Sequence, residues 1–322
     1  MLVDGIWEAD WQPVQNKDDD GRFVRQTSTF RNWITPDGSP GPDGQKAFPA
    51  EVGRYHLFIA YICPWASRTL MVRTLKGLEK IISVSVLDPR LSKQGWKFGD
   101  FEGSTGMDTE IGATYLHEVY THADQKFTGR ATVPVLWDKL SKTIINNESA
   151  DIIQILNSAF SNLNDGGPDL RAADNLSDIT LLNAALYDGF NNGVYKAGFA
   201  SSQLAYEEGF SGVFETLEML ENRLSDGRAY LIGDHITESD IRAFVTLIRF
   251  DIVYVGLFKL NLRRVVDYPH LHAYMLRILA HPGVRSTVKI DHIKAGYYSV
   301  KALNPSEIVP LGPDLSELGI IP

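Results

Sequence analysis

Cys63 is the only cysteine in 322 residues, and it stands in the stretch Tyr61-Ile62-Cys63-Pro64-Trp65-Ala66-Ser67-Arg68. A thiol reacts as its thiolate, which is favoured at the start of a helix, at the positive end of the backbone dipole. Pro64 suits a first helical turn, where its missing N–H leaves nothing unpaired. The pattern predicts a nucleophilic cysteine of depressed pKa at a strand-to-helix junction, in preference to a buried, inert thiol. A dithiol oxidoreductase would place its second cysteine at position 66, which is Ala66. Any mixed disulfide on Cys63 must therefore be opened by an external thiol. In a reducing compartment the abundant candidate is glutathione, the expected co-substrate.

Glutathione needs backbone for its cysteinyl part and polar groups for its ends. Val133-Pro134 stands where a strand begins, an awkward place for proline unless its peptide bond is cis. The Val133 N–H and C=O would then be free to pair with an extended peptide. Glu148-Ser149 opens a helix: the first N–H groups and the Ser149 hydroxyl suit the γ-glutamyl carboxylate, and Glu148 suits the ammonium. Trp96 and Arg130 are candidate walls of the same site.

Elements that could position these groups follow from the periodicity. His56–Ile62 is an apolar run suited to a strand buried on both faces. Residues 64–78 carry Ala66, Leu70, Thr74 and Leu78 at four-residue spacing, as on one helix face. Ile81–Leu87 is a second, β-branched strand, completing a βαβ unit with parallel strands. A polar insertion over 88–112 precedes a helix near 113–126, strands at 132–138 and 142–147 with a turn at Lys139–Ser141, and a helix over 148–160. That order is a thioredoxin-like layout. After a Gly- and Pro-bearing linker at 163–173 only helical patterns remain, at 175–197, 202–224, from 235 and near 269–281. Thr237 and Asp240 form a capping-box-like pair flanked by Ile236 and Ile241 as a hydrophobic staple. The fold class is α/β plus all-α: residues 1–162 form an irregular N-terminal segment and a thioredoxin-like domain, and 163–322 an all-helical domain with an extended tail. Trp7, Trp11 and Trp33 are the expected anchors of the N-terminal segment.

Composition excludes several classes. The net charge of −9 argues against a nucleic-acid surface. No run of about 18 apolar residues suggests a membrane span. The N-terminus lacks a basic stretch followed by an apolar core, so no secretory signal is expected. With no second cysteine for a disulfide, a cytoplasmic location is expected. The eight histidines are scattered and none pairs with Cys63 at ligand spacing, so no metal is expected.

The stretches CPWASR, SKQGWKF (92–98), TVPVLWDK (132–139), NNES (146–149), NNGVYKAGFA (191–200), HITESD and IKAGYYSV with LNPSEIVPLGP together resemble the glutathionyl-hydroquinone reductases, the Xi class of glutathione transferases. The resemblance spans nearly the whole chain, and the tail and the QGW insertion are its specific parts. It implies a thioredoxin-like domain joined to a helical one, a homodimer, and reduction of a glutathionylated aromatic substrate. It also implies phenolic donors at Tyr195 and at the pair Tyr297-Tyr298, which would assist protonation of the leaving ring. A histidine commonly precedes that pair; here the residue is Gly296, which would leave the local backbone looser. Two other functions share parts of the pattern. An omega-like thiol transferase or dehydroascorbate reductase would use the same cysteine, and a glutathione-transferase-like binding protein would use only the fold. The tyrosine set and the tail speak against the first, and the intact Cys63, Val133-Pro134 and Glu148-Ser149 against the second.

Overall fold

The computed structural model describes residues 1–9, 16–164 and 166–320, so that Trp11, one of the three expected anchors, lies outside the described residues. The chain forms two compact units. Unit 1 holds residues 1–9, 26–164, 166–167 and 286–296; unit 2 holds 16–25, 168–285 and 297–320. These interleaved units differ from the uninterrupted spans 1–162 and 163–322. The reason is side-chain and backbone contact over long sequence separations. In unit 2, Arg22 pairs with Glu208 at 2.7 Å, Phe23 meets Phe199 edge-on, and the Ser201 N–H donates to the Gly21 carbonyl. In unit 1, the His292 ring donates from Nε2 to the Glu102 carbonyl at 2.7 Å and lies against Tyr61 and Phe101.

Unit 1 is built on a four-stranded sheet. Strands β1 (Leu2–Val3) and β2 (Ile6–Trp7) form a short antiparallel ladder, and β3 (Trp33–Thr35) and β4 (Ala47–Pro49) a parallel one. The main sheet contains β5 (Tyr55–Ile59), β6 (Ser83–Val86), β7 (Val135–Asp138) and β8 (Thr143–Asn146) in the order β6-β5-β7-β8. β5 runs parallel to β6 and antiparallel to β7, and β7 is antiparallel to β8. Helix α1 (Pro64–Leu75) connects β5 to β6, α2 (Leu116–Ala123) precedes β7, and α3 (Ser149–Ser158) follows β8. This is the thioredoxin-like arrangement. Every residue of β5 is buried, His56 included, as suits a central strand covered on both faces. β7 begins at Val135, three residues later than 132–138 suggests, because Pro134 has no N–H for the ladder. Trp7 anchors the N-terminal segment by donating to the Lys93 carbonyl at 3.0 Å and stacking on His117.

His56 on β5 is 3% exposed, with Nδ1 2.7 Å from Ser83 Oγ. Burial, and then the Lys139 ammonium, push its imidazolium down to about 4 from 6.5. A folded value below the unfolded one means stability that is complete above pH 6.5 and is lost as pH falls towards 4. The contribution is about 3 kcal/mol. Urea melts at stepped pH are expected to show that loss in the native chain and not in His56→Asn; equal acid sensitivity in both would contradict it.

Unit 2 is helical: α4 (Leu176–Ala185), α5 (Gly193–Gly198), α6 (Gln203–Leu224), α7 (Glu238–Arg249), α8 (Val255–Leu257) and α9 (Pro269–Ala280). All of α7 is buried. Its capping box forms, with the Asp240 carboxylate accepting from the Thr237 N–H at 2.7 Å and hydroxyl at 2.8 Å. Ile236 and Ile241 are buried. The single helix expected over 175–197 is interrupted by a π-helical segment, Leu186–Asn191. Packing explains the break: a Cβ at Gly189 would lie 2.2 Å from Thr216 Oγ1, and Asn191 Nδ2 donates to the Arg242 carbonyl and Thr246 hydroxyl. A second π-helical segment, Phe250–Tyr254, follows α7. A last helix, α10 (Ile290–Tyr298), lies beyond the expected helical stretches; its residues through Gly296 belong to unit 1 and the rest to unit 2. Beyond it the proline-rich tail has no regular element among the described residues.

Candidate functional site

Cys63 is the N-cap of α1, in an extended backbone conformation, with Pro64 in the first turn. The chain turns sharply there: the Cys63 N–H donates to the Ala60 carbonyl at 3.0 Å, and the Cys63 carbonyl accepts from the Ser67 N–H at 2.9 Å. Its side chain makes no capping hydrogen bond and is partly exposed. The sulfur is thus held at the positive end of a 12-residue helix, where negative charge is favoured.

The sheet brings Val133 to that sulfur. The Val133–Pro134 peptide bond is cis. The Val133 carbonyl, expected to be free, accepts from Cys63 Sγ at 3.6 Å. The loop carrying it is pinned by Tyr120 of α2, which donates to the Thr132 carbonyl at 2.8 Å and accepts from the Thr132 N–H at 3.2 Å. The same phenol accepts from Asn147 Nδ2 at 3.1 Å, so one side chain ties the Val133 loop to the β8–α3 junction. Burial pushes the Tyr120 phenol up and keeps it a neutral donor and acceptor.

Glu148 caps α3, its carboxylate accepting from the Ala150 N–H at 3.0 Å and from the Ser28 hydroxyl at 3.0 Å. Burial pushes this carboxyl up. The Ala150 N–H, the Arg68 guanidinium and Ser28 outweigh it and hold the group below the usual carboxylate value. Ser149 Oγ accepts from Arg68 Nη2 at 2.6 Å, and the same nitrogen lies 3.7 Å from Glu148. Arg68 is 2% exposed, lies over the Trp65 ring and springs from α1 little more than one turn after Cys63. It joins the helix that carries the thiol to the helix that carries Glu148-Ser149. Arg31 adds a paired cation against Asp151 of α3.

Trp96 and Arg130 sit on loops of the same unit. Trp96 is half-buried, its carbonyl accepting from the Leu116 N–H; the Arg130 N–H donates to Gln26 Oε1 at 3.1 Å. Val133, Glu148 and Ser149 share a connected set of bonds with α1.

In unit 2 the tyrosines form a hydrogen-bonded cluster. Tyr195 and Tyr297 share a bond of 2.6 Å between hydroxyls, and Tyr297 a second, of 2.9 Å, with Tyr254. Tyr297, not Tyr298, is therefore the member of the pair that joins Tyr195. Tyr298 is buried near Gly256, and its carbonyl accepts from Asn304 Nδ2. Burial, then the neighbouring phenols of Tyr195 and Tyr254, push the Tyr297 phenol well up, so it stays protonated. Tyr195 stands just beyond the first π-helical segment and Tyr254 ends the second. Such segments re-aim side chains and recur at functional sites.

Sequence reasoning missed Arg68, Tyr120 and Tyr254. Arg68 lies within the quoted CPWASR stretch, and its place five residues after the cysteine is the signal that could have found it. The loosening expected at Gly296 is also corrected. A Cβ there would lie 2.5 Å from Ile62 Cδ1 and 2.7 Å from the Pro89 carbonyl, so glycine serves a close approach of α10 to the residue before Cys63.

A thioredoxin-like unit with a lone thiol at a helix start, followed by a helical unit, defines a glutathione transferase of the cysteine type. The family model of the glutathione S-transferase N-terminal domain matches residues 62–159, and that of the C-terminal domain residues 203–277. The glutathionyl-hydroquinone reductase YqjG of Escherichia coli is 48% identical over 98% of this chain and 97% of its own length. Its glutathione-bound structure superposes with a TM-score of 0.88 at 44% identity, covering 97% of this chain and 95% of that one. The glutathione transferase Xi of Phanerochaete chrysosporium does so at 0.86 and 45%, covering 92% and 94%. The chain belongs to the Xi class of glutathione transferases, the glutathionyl-hydroquinone reductases. Among the described residues no helix is long and apolar enough to cross a membrane, and no group of three or more His, Cys, Asp or Glu side chains is placed to hold a metal.

Proposed function

We propose that this protein reduces glutathionyl-hydroquinones to hydroquinones at the expense of glutathione, with Cys63 as the nucleophile. The observation that carries the reading is the Cys63 thiol at the N-cap of α1, beside the Val133 carbonyl and on the same helix as Arg68. The thiolate attacks the glutathionyl sulfur. A sulfur–sulfur bond forms, the sulfur–aryl bond breaks, and its electron pair passes to the ring carbon, which takes a proton through a keto tautomer. A second glutathione thiolate attacks the enzyme–glutathione disulfide, giving oxidised glutathione and restoring Cys63. Val133 and Pro134 with Glu148 and Ser149 hold the glutathionyl part, Arg68 orients Ser149 and Glu148, and Trp96 and Arg130 wall the site. Tyr195 and Tyr297 donate hydrogen bonds to a ring oxygen during the proton step. The protein acts as a homodimer in the cytoplasm, with no metal.

The test is release of free hydroquinone from a glutathionyl-hydroquinone in the presence of glutathione. Tyr195→Phe is expected to lower kcat by roughly 10- to 100-fold with the Kd for glutathione unchanged. Unchanged turnover would remove Tyr195 from the reaction.

A further inference from the structure

Arg25 enters the tyrosine cluster of unit 2 from the irregular N-terminal segment, far from it in sequence. Its guanidinium carbon lies 5.0 Å from the centroid of the Tyr195 ring and 5.2 Å from that of Phe23. Nε donates to Asn192 Oδ1 at 2.7 Å. Asn192 caps the π-helical segment and starts the turn that ends in Tyr195, whose own N–H donates to the Asn192 carbonyl at 3.0 Å. Phe23 and Tyr195 also share Phe199 as an edge-on neighbour. The cation thus lies near both rings and is bonded by the residue that also sets the backbone beneath Tyr195.

We infer that Arg25 is a positioning residue for Tyr195, its guanidinium fixing the ring and polarising the phenol so that the hydroxyl is a stronger hydrogen-bond donor. A cation over the face of an aromatic ring is attracted by its negative face. It withdraws electron density from the ring, and the O–H dipole strengthens accordingly. The hydroxyl affected bonds Tyr297 at 2.6 Å, the shortest link in the three-tyrosine cluster. A reaction that places negative charge on a ring oxygen gains from a stronger donor in the transition state more than in the ground state. The N-terminal segment would therefore supply electrostatics to the proton step as well as packing.

The inference rests on Tyr195 acting as proposed above, and a double-mutant cycle separates the two. The variants are Arg25→Met, Arg25→Lys, Tyr195→Phe and Arg25→Met/Tyr195→Phe, each assayed for kcat and for KM towards glutathione and a glutathionyl-hydroquinone. Arg25→Met is expected to lower kcat about tenfold, leave KM for glutathione within about twofold, and lower it no further in the Tyr195→Phe background. Arg25→Lys keeps a point charge over the ring and is expected to restore part of the loss. A drop in Tyr195→Phe with none in Arg25→Met overturns this inference and leaves the function standing. Full activity in Tyr195→Phe overturns the inference together with the role given to Tyr195. Equal losses from Arg25→Met with and without the Tyr195 hydroxyl overturn the inference by showing that Arg25 acts on the fold alone.

Discussion

Cys63→Ala is expected to lower turnover of a glutathionyl-hydroquinone by about a thousandfold or more, with glutathione binding held within about threefold. The chain has no other thiol to take over the attack. A serine at the same place is expected to behave like alanine, because its hydroxyl does not ionise near neutral pH while a thiol at a helix start does. The fold is expected to survive either change. Cys63 makes no side-chain capping bond, and Pro64 preserves the first turn. Thermal melts should therefore place the variant within about 1 kcal/mol of the native protein. Substantial residual turnover in a folded Cys63→Ala protein would mean that the glutathionyl sulfur is attacked directly by free glutathione.

Arg68→Met is expected to raise the Kd for glutathione roughly a hundredfold. The guanidinium is buried and bonds Ser149 at 2.6 Å, with Glu148 at 3.7 Å. Removing one partner of a buried, hydrogen-bonded charge costs about 3 kcal/mol, because the other partner stays in place without compensation. Here the abandoned groups are the two expected to hold the γ-glutamyl end, so the loss falls on binding as well as on stability. Arg68→Lys offers a single point of positive charge in place of a planar fork and should recover only part of the affinity. Isothermal titration with glutathione reads the effect directly. An unchanged Kd in the methionine variant would separate Glu148-Ser149 from the glutathione site.

The parts of the site that were legible in the sequence are those whose chemistry is local. Cys63-Pro64 is a helix start in itself, Val133-Pro134 an interrupted strand start, and Glu148-Ser149 a cap, so each announces its backbone without knowledge of the rest. Arg68, Tyr120 and Tyr254 could not be ranked in that way. An arginine five residues into a helix reads as a solvated charge until α3 is seen to lie beside α1. Tyr120 reads as one apolar residue of an amphipathic helix until its hydroxyl is found between Thr132 and Asn147. Tyr254 lies in the run Phe250–Leu257, where apolar content hides a phenol directed at Tyr297.

The fold shows the same division. β5, α1 and β6 are set by unbroken or periodic apolar runs and were placed to within a few residues. The π-helical segment at 186–191 depends on Gly189 against Thr216 and Asn191 against α7, which are contacts between distant residues with no periodic signature. The interleaving of segment 16–25 with the helical unit likewise rests on Arg22, Phe23 and Gly21 meeting partners near residue 200. α10 depends on Gly296, whose lack of a side chain lets the helix approach Ile62, a contact with no periodic signature.

The central claim is that the glutathionyl group passes through Cys63. A single-turnover experiment with a stoichiometric glutathionyl-hydroquinone and no free glutathione, followed by intact and peptide mass spectrometry, tests it most directly. The expected result is one glutathionyl unit on the Cys63 peptide for each hydroquinone released, removed again when glutathione is added. Hydroquinone released without that adduct, or no hydroquinone until free glutathione is supplied, would contradict it.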